Sequence, residues 1–466
     1  MSKQSANPLR YVARATIEFE TAFIIGGGVD DLFFDSVFVS DANGLPTLPG
    51  SSLAGVLRHA WADAGHGDGN DLFGYQNGSE GHGSRLSASW GILHDSANRP
   101  VEGIITDRQR LDDSILTEAR LTTARDHVRI SHKGVAEQGG KFDEQSVTAG
   151  HRFSFELLLE GTSGDERSWS RLLGLLRSDA IRIGGKSRRG YGQFRVIALN
   201  GRSFDLNNRN DFNAFRALPV SLVETTLPDL LPSLKSVDSG VVTATLGLKP
   251  EAFWMIGGGF DGEVDMAPLK ANRIVWKEGK GEVQNNKVLL PGSSVKGALA
   301  HRIAFHYNRL SELFAGPDVV VGDHTGENNR AVRELFGYCK ESDKSEGRRG
   351  RVLISDLFVD KPGEQKILNH VSIDRFTGGA RVLEGALFDE KPYYRGDGFI
   401  LNVTVTEAEQ IKEKKVRQAL QAALLDLAGG RLALGAGAGR GNGYFRADIG
   451  VKWNPAGEAW LAGGDQ

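Results

Sequence analysis

The stretch "LPGSSLAGVLRHA" (Leu48–Ala60) returns almost unchanged as "LPGSSVKGALAHR" (Leu290–Arg302) about half a chain length later. In each copy a proline fixes one torsion, a glycine permits close backbone approach, and apolar residues then follow at helical spacing. We therefore predict a strand-to-helix turn with a serine at the helix N-cap. The N–H groups at such a helix start can bind a phosphate, against the plainer alternative of a capped turn. The candidate contacts there are Ser51, Ser52, Arg58, Ser293, Ser294 and Lys296.

Further motifs occur twice in the same order, which identifies the chain as a tandem repeat. Ile24–Asp35 ("IIGGGVDDLFFD") matches Met255–Asp265 ("MIGGGFDGEVD"), and later "DLFGY" matches "ELFGY" and "HVRIS" matches "HVSID". Each copy then closes on a glycine-rich loop, "IGGKSRRGYGQFRV" or "LGAGAGRGNGYFRA". The repeat is too long for a solenoid unit, so each copy is a domain. We place the domains at residues 1–200 and 240–466, with a polar, proline-bearing linker at 201–239.

The order of elements within a copy predicts the fold. Tyr11–Glu20 ("YVARATIEFE") and Val241–Pro250 ("VVTATLGLKP") have the composition of opening strands. The segments "SWSRLLGLLRSDA" and "KKVRQALQAALLDLAGG" have the apolar spacing of a second helix in each copy. The resulting order, β-α-β-β-α-β, predicts an α+β protein with two tandem ferredoxin-like domains. A parallel α/β sheet is the alternative, but the chain has too few strand–helix alternations for it.

Composition limits the classes of function. The 466 residues are 40% hydrophobic and 25% charged, with a net charge of −3, so a nucleic-acid partner would need a local basic surface. Cys339 is the only cysteine, which excludes a disulfide framework and a zinc site built mainly from cysteine. The sequence shows no signal peptide and no apolar run of bilayer length, so we expect a cytoplasmic protein with no membrane partner.

The closing loop of the first copy concentrates positive charge among glycines. Lys186, Arg188 and Arg189 can pair with phosphodiesters, and Tyr191 can offer a stacking face to a base. The second copy keeps Arg440 at the matching position. Neither loop has the Walker A frame or the context of a dinucleotide-binding turn. RNA contact is favoured over a flexible, solvated hairpin in the first copy, and the two alternatives stay open in the second.

Taken together, these motifs resemble one protein family. The glycine turn, "LPGSS-x-x-G" at a helix start, "DRFTGGA" (Asp374–Ala380), "FDEKPY" (Phe388–Tyr393) and the terminal "G-x-F-R" are similar to the RAMP superfamily. Within it, the chain most resembles the backbone subunits of type III CRISPR effector complexes, in a two-copy form. The first copy departs from the pattern, because "ISHKGVAEQ" (Ile130–Gln138) stands where the second has "IDRFTGGAR" (Ile373–Arg381).

The resemblance implies palms like the RNA recognition motif that bind a CRISPR RNA guide, in a complex with target single-stranded RNA and other CRISPR effector subunits. It adds His127, His370 and Arg375 to the candidate RNA contacts. It also implies inserted thumb hairpins, at residues 132–148 and 376–395, that kink the guide–target duplex. We expect aromatic side chains of these hairpins to project and wedge the duplex, with an ordinary hairpin core as the alternative. These side chains are Phe142, Phe388, Tyr393 and Tyr394.

In catalytic members of the family, an aspartate after the first glycine turn cuts target RNA with a divalent metal. The resemblance therefore implies a metal-dependent endoribonuclease with two cleavage sites, at Asp35 and Asp265, each a ligand of Mg²⁺ or another divalent cation. Aspartates in glycine turns are commonly just solvated, so a non-catalytic RNA-binding scaffold stays open. A metal-independent endoribonuclease that processes the guide, using His59 or His127, also stays open.

Overall fold

The computed structural model describes residues 7–26, 38–237, 240–314, 316, 320–339, 346–381 and 387–463. Asp35 lies outside the described residues, so its predicted role stays a prediction. The helices and strands of the first copy are β1 (Leu9–Phe19), α1 (Gly50–Asp63), α2 (Asn70–Phe73), β2 (Tyr75–Asn77), β3 (Glu80–His82), β4 (Leu86–Ala88), β5 (Ile92–Leu93), α3 (Ser114–Arg120), β6 (Thr123–Ile130), β7 (Ala136–Ser146), β8 (Arg152–Gly161), α4 (Glu166–Leu175), β9 (Phe194–Asp205) and α5 (Arg209–Arg216).

The helices and strands of the second copy are β10 (Val242–Pro250), β11 (Phe253–Trp254), β12 (Gly257–Gly259), β13 (Ala267–Pro268), β14 (Lys270–Lys277), β15 (Lys280–Leu290), α6 (Gly292–Leu310), α7 (Arg330–Phe336), β16 (Gly337–Tyr338), β17 (Arg348–Arg349), β18 (Val352–Ile354), β19 (Leu357–Val359), β20 (Glu364–Gln365), β21 (Leu368–Val371), β22 (Leu387–Glu390), β23 (Tyr393–Tyr394), β24 (Phe399–Val405), α8 (Lys414–Ala428), β25 (Phe445–Trp453) and α9 (Pro455–Ala462).

The palm of each copy is an antiparallel sheet with the same strand order. The order is β4-β8-β1-β9 in the first copy, where β5 also pairs with β8, and β18-β24-β10-β25 in the second. All neighbours on these paths run antiparallel. The opening strand therefore lies in the centre, between the last strand and the strand that precedes the second helix. This is the ferredoxin-like order, so the predicted α+β fold with two tandem domains is confirmed.

Two helices cover one face of each sheet and bury its core. In the first copy Leu53 and Leu57 of α1 lie in one buried cluster with Leu172 of α4. In the second copy Leu299 of α6 and Leu420 of α8 occupy the matching cluster. Apolar side chains at helical spacing thus meet apolar side chains that alternate along the strands. Among the described residues, no helix combines the length and the apolar character that crossing a bilayer requires.

In each copy the helix after the repeated turn begins earlier in the chain than predicted. The N-caps are Pro49 and Pro291, and neither proline makes a side-chain cap hydrogen bond, so the predicted serine N-cap is wrong. The glycine after each proline is the first helical residue. A Cβ on Gly50 would collide with the carbonyl oxygen of Ala88, and a Cβ on Gly292 would collide with that of Ile354. Glycine is therefore required because the helix start lies directly against a neighbouring strand.

Most of the stretch predicted as a linker belongs to the first copy. β9 continues to Asp205, inside that stretch, and α5 follows it. The backbone N–H of Gly201 donates to the carbonyl of Pro228, and the N–H of Leu230 donates to that of Leu199. Phe204 and Leu227 are buried in a small cluster of their own on this side of the sheet. The connection is thus packed along the first palm instead of spanning open space.

The insertion that separates Asp265 from Pro291 in the second copy forms a hairpin that packs on the first copy. This hairpin is β14 and β15. Its Trp276 donates from Nε1 to the carbonyl of Gly150 at 2.8 Å, and the Arg152 guanidinium lies 4.2 Å from the Trp276 ring centroid. The N–H of Ile274 donates to the carbonyl of Ala149 at 2.9 Å. The extra length therefore joins the two copies directly.

Candidate nucleic-acid interface

A cluster of basic side chains lies where the closing loop of the first copy meets helix α6 of the second. We call Lys186, Arg188, Arg189 and Lys296 the basic cluster. Burial and the neighbouring Arg189 and Arg188 guanidinium groups lower the pKa of Lys296. Burial, and then the charge of Arg349, lowers the pKa of Arg188 to about 10. Like charges held this close favour an anion between them, and a phosphodiester is such an anion.

The backbone of this loop explains why the basic residues lie so close to the second copy. Lys186 has a positive φ of 56°, and Gly190 has a φ of 109°, on either side of the single turn Ser187–Arg189. A Cβ on Gly190 would collide with the carboxylate of Asp356, and the Gly190 carbonyl accepts from the Asp356 N–H at 3.1 Å. Arg188 donates from Nε to the carbonyl of Gly350 at 2.5 Å. The loop therefore contacts the second palm through backbone that only glycine allows.

Helix α1 and the same loop border a cavity of about 730 Å³. Its lining includes Ser52 and His59 from α1, Arg182 and Arg188 from the closing loop region, and Arg349 from the second copy. Ser51 is exposed beside it, and Ser293 and Ser294 lie half-buried in the first turn of α6. The predicted serine contacts therefore lie at helix starts that are reachable, and Ser52 faces a basic, partly apolar groove.

Two predicted RNA contacts have other roles in the structure. Arg58 donates to the carbonyl of Gly74 at 3.0 Å and to the Asn70 side chain at 2.6 Å, so its guanidinium joins α1 to α2. The assignment of Arg58 to a phosphate is therefore revised to an internal tie. Tyr191 is fully buried, with the Arg125 guanidinium 4.7 Å from its ring centroid, and burial raises the pKa of Tyr191 to about 12. The prediction that its ring stacks on a base is wrong, because no face of the ring is accessible.

The two candidate histidines lie in thumb hairpins and pair with buried glutamates. In the hairpin of β6 and β7, the ring of His127 stacks on Phe142 with centroids 5.1 Å apart, and its Nε2 lies 3.3 Å from Glu144. Glu144 also bonds Arg189 and lies 3.5 Å from the ammonium of Lys186. The Arg189 guanidinium lies 4.7 Å from the Phe142 ring centroid. Burial, and then nearby arginines, lowers the pKa of His127 to about 4, so it is neutral near pH 7.

The second copy repeats the histidine, phenylalanine, glutamate and arginine of this arrangement. In the hairpin of β21 and β22, His370 stacks on Phe388 with centroids 4.8 Å apart, and its Nε2 lies 3.0 Å from Glu390. Arg440 donates to Glu390 at 2.5 Å, and its guanidinium lies 5.2 Å from the Phe388 ring centroid. Asn442 donates to the same carboxylate at 3.1 Å. Arg440 and His370 are both candidate RNA contacts from the sequence. In the structure they lie together around Glu390, which the sequence analysis did not identify.

The missed glutamates had a sequence signal. "FDE" occurs at Phe142–Glu144 and again at Phe388–Glu390, at corresponding places in the repeat. Read singly, Glu144 and Glu390 resemble solvated surface charges. Their side chains are in fact 6% and 0% exposed. A carboxylate buried to that degree needs charged or hydrogen-bonding partners, and in both copies the closing loop supplies them.

The thumb hairpins differ in position and in tip chemistry from the prediction. They span 123–146 and 368–390, both earlier in the chain than predicted. Tyr393 is buried in the palm core and Tyr394 packs on Phe253, so neither is a wedge. Phe142 and Phe388 are covered by histidine and arginine. Among the hairpin residues that the structure describes, the exposed large apolar side chains are Val128, Ile130, Val135, Val371, Ile373, Phe376 and Leu387, and Phe376 is 98% exposed. Arg375 is exposed beside Phe376.

Asp265 is held against the thumb strand of its own copy. Its N–H donates to Asp389 Oδ1 at 2.7 Å, and the Asp389 N–H donates to Asp265 Oδ2 at 3.1 Å. Asp265 is exposed, and its Oδ1 accepts none of the hydrogen bonds just described. Mg²⁺ is commonly held by one or two carboxylates together with substrate phosphates and water. The described residues contain no group of three or more histidine, cysteine or acidic side chains placed to hold a metal.

The fold defines a protein with two ferredoxin-like palms, and comparison with known proteins places it in a family. The sequence profile of the RAMP superfamily matches residues 16–195 and 249–446, one region in each copy. The chain therefore belongs to the RAMP superfamily and carries its domain twice. No curated protein matches the chain. Among solved structures, a chain of "Type III-B Cmr-beta Cryo-EM structure of the Apo state" is 15% identical, with a TM-score of 0.30 over 40% of this chain and 96% of that chain.

Proposed function

We propose that this chain is a backbone subunit of a type III CRISPR effector complex that binds the CRISPR RNA guide and cleaves guide-paired target RNA at two sites. Family membership and the motif resemblance support the assignment to such a complex. The observation that carries the cleavage proposal is the pair of hydrogen bonds that holds Asp265 against Asp389 of the thumb strand. An exposed carboxylate is held there at the base of the hairpin that would bend the RNA.

Guide binding rests on the basic cluster and the groove beside it. The chain as a whole has a net charge of −3, so an RNA contact requires local concentration of positive charge. Lys186, Arg188 and Lys296 supply that concentration next to the exposed start of α1 and the half-buried start of α6. The N–H groups in the first turn of α1 can donate to a phosphate, since the N-cap Pro49 has no side chain that caps them. At the start of α6 the Gly292 N–H already donates to Asp356 Oδ1 at 2.9 Å. The guide therefore runs across the junction between the two palms.

Cleavage uses the RNA 2′-hydroxyl as nucleophile: its oxygen bonds to the scissile phosphorus and loses its proton to solvent, while the bond from phosphorus to the 5′-oxygen breaks and that oxygen takes a proton from solvent. This displacement requires in-line geometry at the scissile phosphate. Asp265 would hold a divalent cation through its open carboxylate oxygen, with Asp389 beside it. Mg²⁺, when bound, supplies charge stabilisation at the leaving oxygen. The thumb hairpin presents the bent strand to this point through its exposed apolar side chains, Phe376 foremost. Asp35 is the corresponding residue of the first copy and gives the second site.

Histidine chemistry has weaker support. His127 is buried, and its depressed pKa of about 4 leaves it without a proton to donate near pH 7. His59 is exposed and lines the groove, with its Nδ1 2.9 Å from the Gly55 carbonyl. A guide-processing reaction through His59 would be independent of metal, whereas cleavage through Asp265 requires it.

The experiment is copurification of the chain with a CRISPR array and partner subunits, sequencing of the bound RNA, and assay of a labelled complementary target. We expect guide RNA of defined repeat-derived ends in the complex, and two target cuts that require Mg²⁺ and stop with chelator. Bound guide with an uncut target in Mg²⁺ identifies a scaffold. Guide cleavage that persists in chelator and is lost with His59→Ala identifies a processing enzyme. Absence of bound guide RNA contradicts the proposal outright.

A further inference from the structure

Strand β22 of the thumb hairpin contacts both the segment that contains Asp265 and the closing loop that contains Arg440. On β22, Phe388 lies against His370 and Arg440, Asp389 bonds Asp265, and Glu390 bonds Arg440. Consecutive residues of a strand point to opposite faces of it. Strand β22 therefore has Asp265, which is proposed to cleave RNA, on one side and Arg440, which is proposed to bind RNA, on the other.

We propose that Asp389 is a positioning residue for Asp265. We also propose that the tripeptide Phe388–Glu390 couples RNA binding by the closing loop to cleavage at Asp265. This inference rests on the proposed function, because it assigns a role in the reaction at Asp265. The same tripeptide occurs in the first copy at Phe142–Glu144.

Hydrogen bonds hold Asp265 in a fixed position. The two aspartates exchange hydrogen bonds, each N–H donating to the other carboxylate, so a closed ring of contacts fixes both the backbone and one carboxylate oxygen of Asp265. The backbone on either side is tied to the same strand: the Met266 N–H donates to the Asp389 carbonyl at 3.2 Å, and the Lys391 N–H donates to the Met266 carbonyl at 3.0 Å. Lys391 also donates from Nζ to Glu263 at 2.5 Å.

Such fixation matters because a lone carboxylate on an exposed loop would have to be ordered at every turnover. Ordering a residue has an entropic cost, and catalysis gains when that ordering is already present in the folded enzyme. The ring uses Asp265 Oδ2 and leaves Oδ1 for a cation or an RNA group. The Asp389 backbone N–H thus occupies one oxygen of Asp265, and the Asp389 carboxylate fixes the Asp265 backbone.

Glu390, one residue further along β22, connects this strand to the closing loop. Glu390 is fully buried and is contacted by His370, Arg440 and Asn442. Arg440 and Asn442 belong to the closing loop. A displacement of that loop by bound RNA would therefore act on β22, and through Asp389 on Asp265. In the first copy Glu144 makes the matching contacts with His127 and Arg189.

The test compares Asp389→Ala with Asp389→Asn in the assembled, guide-loaded complex. Alanine removes the acceptor for the Asp265 N–H, whereas asparagine keeps an oxygen there and loses only the charge. We expect alanine to slow the cut made by the second copy by on the order of tenfold or more, as loss of an orienting partner commonly does, and asparagine to retain most of the rate. Guide affinity and the cut made by the first copy stay at the wild-type values.

Asp143→Ala is the matched control, because it lies in the same tripeptide of the other copy. It should leave the cut made by the second copy unchanged. Hydrogen exchange of residues 261–266 gives a readout without activity: the RNA-free Asp389→Ala chain should exchange faster there, while the palm strands keep wild-type protection. That second result also shows that the variant is folded.

The outcomes separate this inference from the proposed function. If Asp265→Ala leaves every product unchanged, the proposed cleavage by Asp265 is wrong. If Asp265→Ala removes one cut but Asp389→Ala leaves that cut at the wild-type rate, only the positioning role is overturned. If asparagine at 389 is as slow as alanine, Asp389 acts through its charge, which also overturns positioning. Faster cleavage in both copies after Asp389→Ala contradicts the separate coupling of each copy.

Discussion

Arg125 of the first copy and Asp356 of the second form a buried ion pair of 2.6 Å that joins the two halves of the chain. Their side chains are 6% and 1% exposed. Asp356 Oδ1 also accepts from the N–H of Gly292 at 2.9 Å, and the Arg125 guanidinium lies over the buried ring of Tyr191. One carboxylate therefore connects the thumb of the first copy, its closing loop and the start of helix α6.

Asp356→Ala is predicted to destabilise the junction strongly. It leaves Arg125 charged, buried and without its carboxylate partner, and removal of one member of a buried pair commonly costs about 3 kcal/mol or more. Chemical unfolding with separate probes in each copy should show a large loss and a less concerted transition. The control is Asp397→Ala, because the Lys361–Asp397 pair is exposed on both sides and should contribute less than about 1 kcal/mol. Equal effects of the two variants would contradict the account of the junction.

Neutralising the basic cluster is predicted to weaken guide RNA binding for all sequences alike. Replacing Lys186, Arg188 and Lys296 with glutamine removes up to three phosphate contacts, each worth about 0.7 units of the slope of log affinity against log salt on single strands. Filter binding across a range of salt concentrations measures that slope. Lys361→Gln is the control, because Lys361 is 79% exposed and lies in another region. A slope equal to the wild-type value after the triple change would remove these residues from the interface.

Acid is predicted to destabilise the first copy through its buried histidines. Burial lowers the pKa of His94 and of His127 to about 4, and that of His151 to about 3. The unfolded chain therefore binds more protons than the folded chain between the ordinary histidine pKa of about 6.5 and these values, so stability is full above pH 6.5 and falls as the pH drops toward 4.

The measurement for the acid effect is the urea midpoint of a probe in the first copy at pH 7, 6 and 5. We expect the midpoint to fall with pH, and to fall less steeply in His94→Gln, which cannot be protonated in either state. A midpoint that is constant, or that rises on acidification, contradicts the assignment of these histidines as buried and neutral.

The fold was largely predictable from the sequence because its signals are local and repeated. The opening strands, the helices after Pro49 and Pro291, and the glycine that ends α8 all follow from spacing and turn chemistry within a few residues. Because the domain is duplicated, each of these sequence patterns occurs twice and supports the same prediction. The serine N-cap failed because proline took the cap position, which the pattern of polar residues alone does not distinguish.

The site was less predictable because it depends on contacts between distant residues. Tyr191 has an aromatic side chain of the kind that stacks on bases. Its burial, with the Arg125 guanidinium packed against its ring, is visible only in the folded structure. Glu144 and Glu390 carry charges that sequence patterns place at the surface. Their burial follows from a hairpin meeting a loop some fifty residues away in the chain. The contacts between the copies could not be inferred from either copy considered singly.

Phe376 is predicted to act on RNA and not on folding. Its side chain is 98% exposed at the hairpin tip, so Phe376→Ser should change the free energy of unfolding by less than about 0.5 kcal/mol. Wedging should be lost, which 2-aminopurine in the target strand reports as a drop in fluorescence. Tyr393→Ser is the contrasting variant, because Tyr393 is buried in the palm and its loss should cost about 3 kcal/mol. Unchanged fluorescence with Phe376→Ser would remove this residue from the wedge.

The most direct test of the central claim is the map of target cleavage products made by the guide-loaded complex, in Mg²⁺, for wild type, Asp35→Ala and Asp265→Ala. Two separated palms predict two cuts at a fixed spacing, with each substitution removing a different cut and leaving guide binding intact. Removal of a charged group that stabilises the transition state commonly costs about 3 kcal/mol or more, a loss of at least a hundredfold in rate. Wild-type product ladders from both variants would contradict the claim that this chain cuts RNA through these two aspartates.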